Sequence, residues 1–153
     1  MSQVKQEGNT LSYERVFDAP RELVWEVFTK PEHVRNWYGP RGMTLSVCEI
    51  DFRVGGSYRY VMKSEHGEFG FHGEYKEIVI PEKIVNTWVF EPMPDKETVE
   101  TMVLTEENGK TKASMHSVFQ SEDDLKGWAA SGGEAGMLET YERLEELLAK
   151  LQG

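Results

Sequence analysis

Hydrophobic and polar positions change their period three times along this chain. "LSYERVFDA", residues 11–19, alternates as a half-buried strand does. Leu23, Val24, Val27 and Phe28 then recur at helical spacing. Asp18 stands where it can cap this helix, and Pro20 suits its first turn. Pro31 interrupts the period, which predicts a second short helix over 32–37, ended by "YGP" at residues 38–40.

Alternation returns in six segments: "MTLSVCEIDFR", "SYRYVMKSE", "FGFHGEYKEIVI", "KIVNTWVFEPM", "ETVETMVLTEE" and "KTKASMHSVFQ". Short connections separate them, so an antiparallel meander is expected. Asn108 and Gly109 form a two-residue hairpin signal. Gly55 and Gly56 interrupt "DFRVGGSYRY" and predict another reversal, with one glycine at positive φ. A phosphate-cradling loop should open a helix, whereas the chain from Ser57 onward reads as strand. After the loop-like "SEDDLKGWAASGG", Met137, Tyr141, Leu144, Leu148 and Leu151 return to helical spacing. They predict one amphipathic helix from about Glu134 to Leu151, long enough at ~1.5 Å per residue to cross most of a sheet.

The 153 residues suit one domain, with ordered structure expected over about 10–151. Seventeen basic and 27 acidic residues leave a net charge of −10, which argues against nucleic acid and anionic membrane as partners. Cys48 is the sole cysteine and excludes an internal disulfide framework and a cysteine-rich metal site; it reads as a small buried hydrophobe. No leader-like or membrane-spanning segment is visible, so a cytoplasmic location without membrane insertion is expected.

Taken end to end, "RVFDAPRELVWEVFTKPEHVRNWYGP", "DFRVGGSYRY", "GEYKEIVIPEKIVNTW" and "EAGMLETYERLEELLAKL" resemble one family. It is the AHSA-type branch of the START and polyketide-cyclase-like (SRPBCC) superfamily, named after the activator of the ninety-kilodalton heat-shock protein ATPase. The resemblance spans about 140 residues and rests on order and spacing rather than on one motif. It implies an α+β helix-grip fold: a seven-stranded antiparallel sheet curled around the long C-terminal helix, with two short helices after the first strand. It also implies a cavity between sheet and helix that accepts an apolar or aromatic small molecule. The superfamily contains aromatase/cyclase enzymes, lipid carriers and chaperone-interacting domains, so fold alone assigns no function. In that family the eukaryotic activators carry a separate N-terminal domain, which is not seen in these 153 residues, so chaperone activation is not expected to transfer.

The candidate ligand-binding residues are Trp37, Tyr58, Tyr60, Phe71, Trp88, Phe90, Met102, Met115, Trp128, Met137 and Tyr141. Aromatic rings offer contact area and methionine adapts to varied shapes, whether these residues fill a core or line a cavity. Tyr58 shares a strand face with Tyr60 and is expected near the open end of the grip; Trp128 is expected in a loop as a plug or lid. His72, Glu74 and His116 have the opposite parity to their apolar neighbours and are expected to face solvent. No H-E-x-x-H or G-x-S-x-G motif occurs, and neither metal nor cofactor is expected. Binding without catalysis of a small apolar or aromatic ligand is the favoured expectation. A cyclase-like proton-transfer enzyme and a protein-interaction domain are the alternatives, and a titrating side chain inside the cavity would favour the enzyme.

Overall fold

The computed structural model describes residues 2–153. The strands are β1 (Ser2–Glu7), β2 (Thr10–Phe17), β3 (Thr44–Ile50), β4 (Ser57–Ser64), β5 (Gly67–Val79), β6 (Lys83–Phe90), β7 (Glu97–Glu107) and β8 (Lys110–Val118). The helices are α1 (Arg21–Thr29), α2 (Pro31–Val34), α3 (Glu122–Ala130) and α4 (Gly133–Leu151). All eight strands join one antiparallel sheet in the order β1-β2-β8-β7-β6-β5-β4-β3. The helix-grip expectation holds, with one strand more than the seven expected.

The additional strand is β1, so strand structure is already present over Ser2–Glu7, ahead of the expected start near residue 10, and the two short helices follow β2. Its sequence "SQVKQE" has no alternating apolar face. An edge strand has one neighbour, and β1 is formed by register pairing from Ser2↔Arg15 to Glu7↔Thr10 across a turn at Gly8. Lys5 and Glu7 leave the free edge charged, as exposed edges commonly are.

Local chemistry sets the helix ends. Asp18 does not cap α1; the N-cap is Pro20, without a side-chain bond. The Asp18 carbonyl instead accepts from Gln152 Nε2 at 3.0 Å, joining the two chain segments that leave β2 and α4. The second short helix is narrower than residues 32–37: α2 ends at Val34, and turns carry the chain through Tyr38 to Gly39, whose φ is 101°. Trp128 lies not in a loop but in α3. Ser121 Oγ caps that helix by accepting from the Asp124 N–H at 3.1 Å, and Glu122, Asp123 and Asp124 occupy its first turn.

The turns obey their glycines. Asn108 and Gly109 have φ of 53° and 79°, the pair of positive values a type I′ hairpin requires. Gly55 takes φ 86°, and a Cβ on Gly56 would collide with the Asp51 carbonyl. The reversal packs onto β5, where Gly55 N–H donates to the Tyr75 carbonyl at 2.9 Å and Tyr75 N–H donates to Gly56 at 3.0 Å. Both turn geometry and close backbone approach therefore account for "GG".

Helix α4 crosses the concave face. Leu144 and Leu148 are fully buried in the main core with Phe17, Val24, Val27 and Leu104. Leu151, one turn on, is exposed and lies outside the buried stripe. Arg15 projects from β2 to Glu145 of α4 at 2.5 Å and donates to the Tyr13 hydroxyl at 2.9 Å. Arg143 donates to the Gly39 carbonyl at 2.8 Å, and Arg41 pairs with Glu146, so the 36–43 connection is tied to the outer flank of α4.

Leu144→Ala should cost about 2–5 kcal/mol in urea unfolding, because its side chain is wholly enclosed. Truncation before Met137 should abolish cooperative unfolding; an unchanged thermal transition in the truncated chain would contradict this architecture.

Candidate ligand-binding site

A cavity of about 670 Å³ lies between the concave sheet and the first half of α4. That is within the ~300–1,000 Å³ typical of small-molecule sites. All eleven residues selected from the sequence stand along its lining. Tyr58 and Tyr60 come from β4, Phe71 from β5, Trp88 and Phe90 from β6, Met102 from β7 and Met115 from β8. Met137 and Tyr141 enter from α4, Trp128 from α3, and Trp37 from the turn after α2.

These rings hold one another in place. Phe71 stacks on Trp88 and on Phe90, each with centroids 5.1 Å apart. Tyr141 stacks on Tyr13 at 5.3 Å, and its hydroxyl lies 3.0 Å from Met115 Sδ. Trp37 donates its indole N–H to the Val27 carbonyl at 2.8 Å, which fixes its ring against α1. Trp128 packs on Phe119 at 6.0 Å. Tyr58 does not stand at an open end: it is 4% exposed, and its hydroxyl donates to the Thr87 carbonyl at 2.5 Å. It reaches there across Gly73, its cross-strand partner, where a Cβ would meet both the Thr87 carbonyl and the Tyr58 hydroxyl.

The register sorts the sheet wall into rows. Tyr13, Met115, Met102 and Ile84 are successive cross-strand partners and make an apolar row. The next row on the same face runs Leu11–Ser117–Glu100–Asn86–Tyr75. A carboxyl group thus stands in mid-wall of an aromatic cavity. Asn86 Nδ2 donates to Glu100 Oε1 at 3.1 Å and to the Tyr58 hydroxyl at 3.2 Å. No other group among the described residues hydrogen-bonds to Glu100. Its accessible surface faces the cavity, so it is only half-buried by area yet enclosed by protein. Desolvation pushes its carboxyl up to about 6, against the opposing hydrogen bond from Asn86. Burial also raises the Tyr38, Tyr58 and Tyr141 hydroxyls, and the neighbouring Glu100 charge adds to each.

Glu100, Asn86, Ser117 and Tyr38 were not among the residues selected from the sequence. The signal for three of them was parity: Glu100 alternates in phase with Met102 and Leu104, Asn86 with Ile84 and Trp88, and Ser117 with Met115 and Phe119. His72, Glu74 and His116 face outward as their parity predicts. His116 meets Ser12 Oγ at 3.0 Å, and His72 joins Arg59 on Glu91, whose carboxyl these partners hold down to about 2. Cys48 is half-buried against the core near the Pro31 carbonyl. Among the described residues, no three His, Cys, Asp or Glu side chains gather as a metal site requires. No helix among them is long and apolar enough to cross a membrane.

Residues 18–149 match the model of one family, described as Activator of Hsp90 ATPase homolog 1-like protein. The chain belongs to that family. No curated protein matches the sequence. A protein from Rhodobacter sphaeroides has the same fold at a TM-score of 0.91 and 24% identity, over 98% of this chain and 99% of that one. A Nitrosomonas europaea protein superposes at 0.82 with 26% identity, covering 94% and 96% of the two chains. An AHSA1 protein from Silicibacter pomeroyi superposes at 0.77 with 20% identity, covering 94% and 99%. The Activator of Hsp90 ATPase homolog 1-like assignment agrees with the resemblance read from the sequence.

The raised Glu100 carboxyl has a stability consequence. The folded state holds this proton more tightly than the unfolded chain, whose carboxyl titrates near 4.5. Below that value the group is neutral in both states. Stability falls as pH rises through about 6, by about 2 kcal/mol for this group. Glu100→Gln should remove that loss. Urea unfolding at pH 4 and pH 7.5 should show the variant gaining on the natural chain by about 2 kcal/mol at the higher pH. A difference independent of pH would show that Glu100 is solvated in the folded state.

Proposed function

We propose that this protein binds a small apolar or aromatic molecule in the cavity between sheet and α4 and does so without catalysis. The observation carrying this reading is the unfilled space itself. A core of these residues would be expected to close at the packing density of protein interiors. Here Trp88, Phe90, Met115 and Tyr141 are only half-buried, and the surface they retain borders about 670 Å³ of space. The lining includes Trp37, Tyr58, Tyr60, Phe71, Trp88 and Phe90, and such rings suit a flat ligand through offset stacking and edge contacts.

A second reading has one specific observation in its favour. Glu100 is a carboxyl inside the cavity that titrates near neutrality, as a general base for a cyclase-like proton transfer would. Its candidate partner acids along the lining are His116, whose ring is turned outward to Ser12 Oγ, and tyrosine hydroxyls, several of which burial raises. Binding therefore remains the preferred reading. The family's description refers to a chaperone ATPase activator, an activity for which the cavity itself supplies no reason.

The uncharged dye N-phenyl-1-naphthylamine should bind with enhanced fluorescence and raise the melting temperature. At 100 times its dissociation constant it should add about 2.7 kcal/mol of stability. Tyr141→Phe should bind it nearly as well, because that hydroxyl is already turned to Met115. Absence of both fluorescence gain and thermal shift would refute the binding reading.

A further inference from the structure

Among the described residues, Glu100 is the one acidic side chain in the cavity lining, and no lysine or arginine joins it there. Asn86 occupies Oε1, while Oε2 has no hydrogen-bond partner among the described residues and borders the space a ligand would fill. Groups facing this carboxyl from the surrounding elements are hydroxyls: Tyr38 after α2, Tyr58 on β4, Tyr75 on β5, Tyr13 on β2 and Tyr141 on α4. None supplies a positive charge. His116 of β8 turns its ring outward to Ser12 Oγ, and the Arg15 guanidinium is committed to Glu145 and the Tyr13 hydroxyl. The cavity therefore carries a carboxylate of which one oxygen has no hydrogen-bond partner among the described residues. A buried carboxylate in this state is costly until a donor, best a cationic one, meets it.

Resting on the binding reading above, we infer that the ligand class is a hydrophobic organic amine, held with its ammonium on Glu100 Oε2 and its apolar body among the aromatic side chains. Two features select a cation over a neutral donor. The attraction between unit charges is strengthened where water is excluded. Electron-rich rings also line the cavity, and two of them, Tyr38 and Tyr58, stand close enough to Glu100 for its charge to act on their hydroxyls. An ammonium among such faces gains a cation–π contribution that an alcohol does not. Asn86 then acts as a positioning residue. By holding Oε1 and the Tyr58 hydroxyl together, it leaves Oε2 as the oxygen presented to the ligand.

The test compares 2-naphthylmethylamine with 2-naphthylmethanol, which share the ring and differ in charge. Isothermal titration calorimetry on the full chain at pH 7.5 should show the amine binding at least about tenfold tighter. Lowering the pH to 5 protonates most of the Glu100 carboxyl, which titrates at about 6, while the alkylammonium keeps its charge. The amine should then weaken about tenfold and the alcohol should be unaffected. Glu100→Gln should erase both the preference and its pH dependence while still binding the alcohol and the dye, with a thermal transition confirming that the variant folds. Equal affinity for amine and alcohol in a chain that binds the dye would overturn the amine assignment and leave the cavity reading standing. If dye, amine and alcohol all fail to bind, both fall together.

Discussion

The structure depends on an asymmetry in how α4 meets the sheet. Its second half is seated: Leu144 and Leu148 are wholly buried, and Glu145 receives Arg15 from β2. Its first half borders the cavity through Met137, Thr140 and Tyr141, and it touches the strands there mainly through Tyr141, whose ring meets Tyr13 of β2 and whose hydroxyl meets Met115 of β8. A uniformly seated helix would close the fold into a solid core. A helix seated at one end needs support at the other, and α3 together with the 36–43 connection supplies it. Trp128 packs against Phe119, and the Arg41 N–H donates to Glu139 of α4 at 3.1 Å. The cavity thus lies between two fastened regions, with one long rigid element as its roof.

The same constraint explains why the sheet wall is polar where it is. Antiparallel register places Ser117, Glu100 and Asn86 side by side beneath the raised half of α4, next to an apolar row containing Met102 and Ile84. Under the seated half, a carboxylate with one unused oxygen would face apolar side chains with no room for a partner. Under the raised half it faces space. Gly73 completes the arrangement by clearing the path through which the Tyr58 hydroxyl reaches the Thr87 carbonyl beside Asn86.

Much of the fold was legible because strand parity and helical spacing report burial directly. The six-strand meander, the Asn108–Gly109 turn, the Gly55 reversal and the long closing helix all follow from those periods. Two elements were hidden for different reasons. The strand β1 carries no alternating apolar face because it is an edge held mainly by backbone pairing with β2. The helix α3 is as long as α1, but its sequence "EDDLKGWAA" contains Gly127 and has only Leu125 and Trp128 as large apolar positions, so its period does not stand out from a loop. At the cavity, apolar and aromatic lining positions were legible from composition and parity. Glu100 was not, because Thr98, Glu100 and Thr101 make "ETVETMVL" read as an ordinary polar-edged strand unless each position is assigned to a face.

The unpaired state of Glu100 bears on how the wall is to be understood. Were the space only a fault in packing, an apolar residue at position 100 would continue the face formed by Met102 and Leu104 and would avoid burying a charge. The chain instead places a carboxyl there and supports one of its oxygens with Asn86, which is itself shared with Tyr58. Such support orients the carboxyl without neutralising it, and desolvation raises its protonation range to about 6. The folded protein therefore tolerates a local instability near neutral pH at the point where a carboxyl group enters its cavity wall. A bound donor would relieve that instability, so ligand binding and the stability of the sheet wall are coupled through the same oxygen atom.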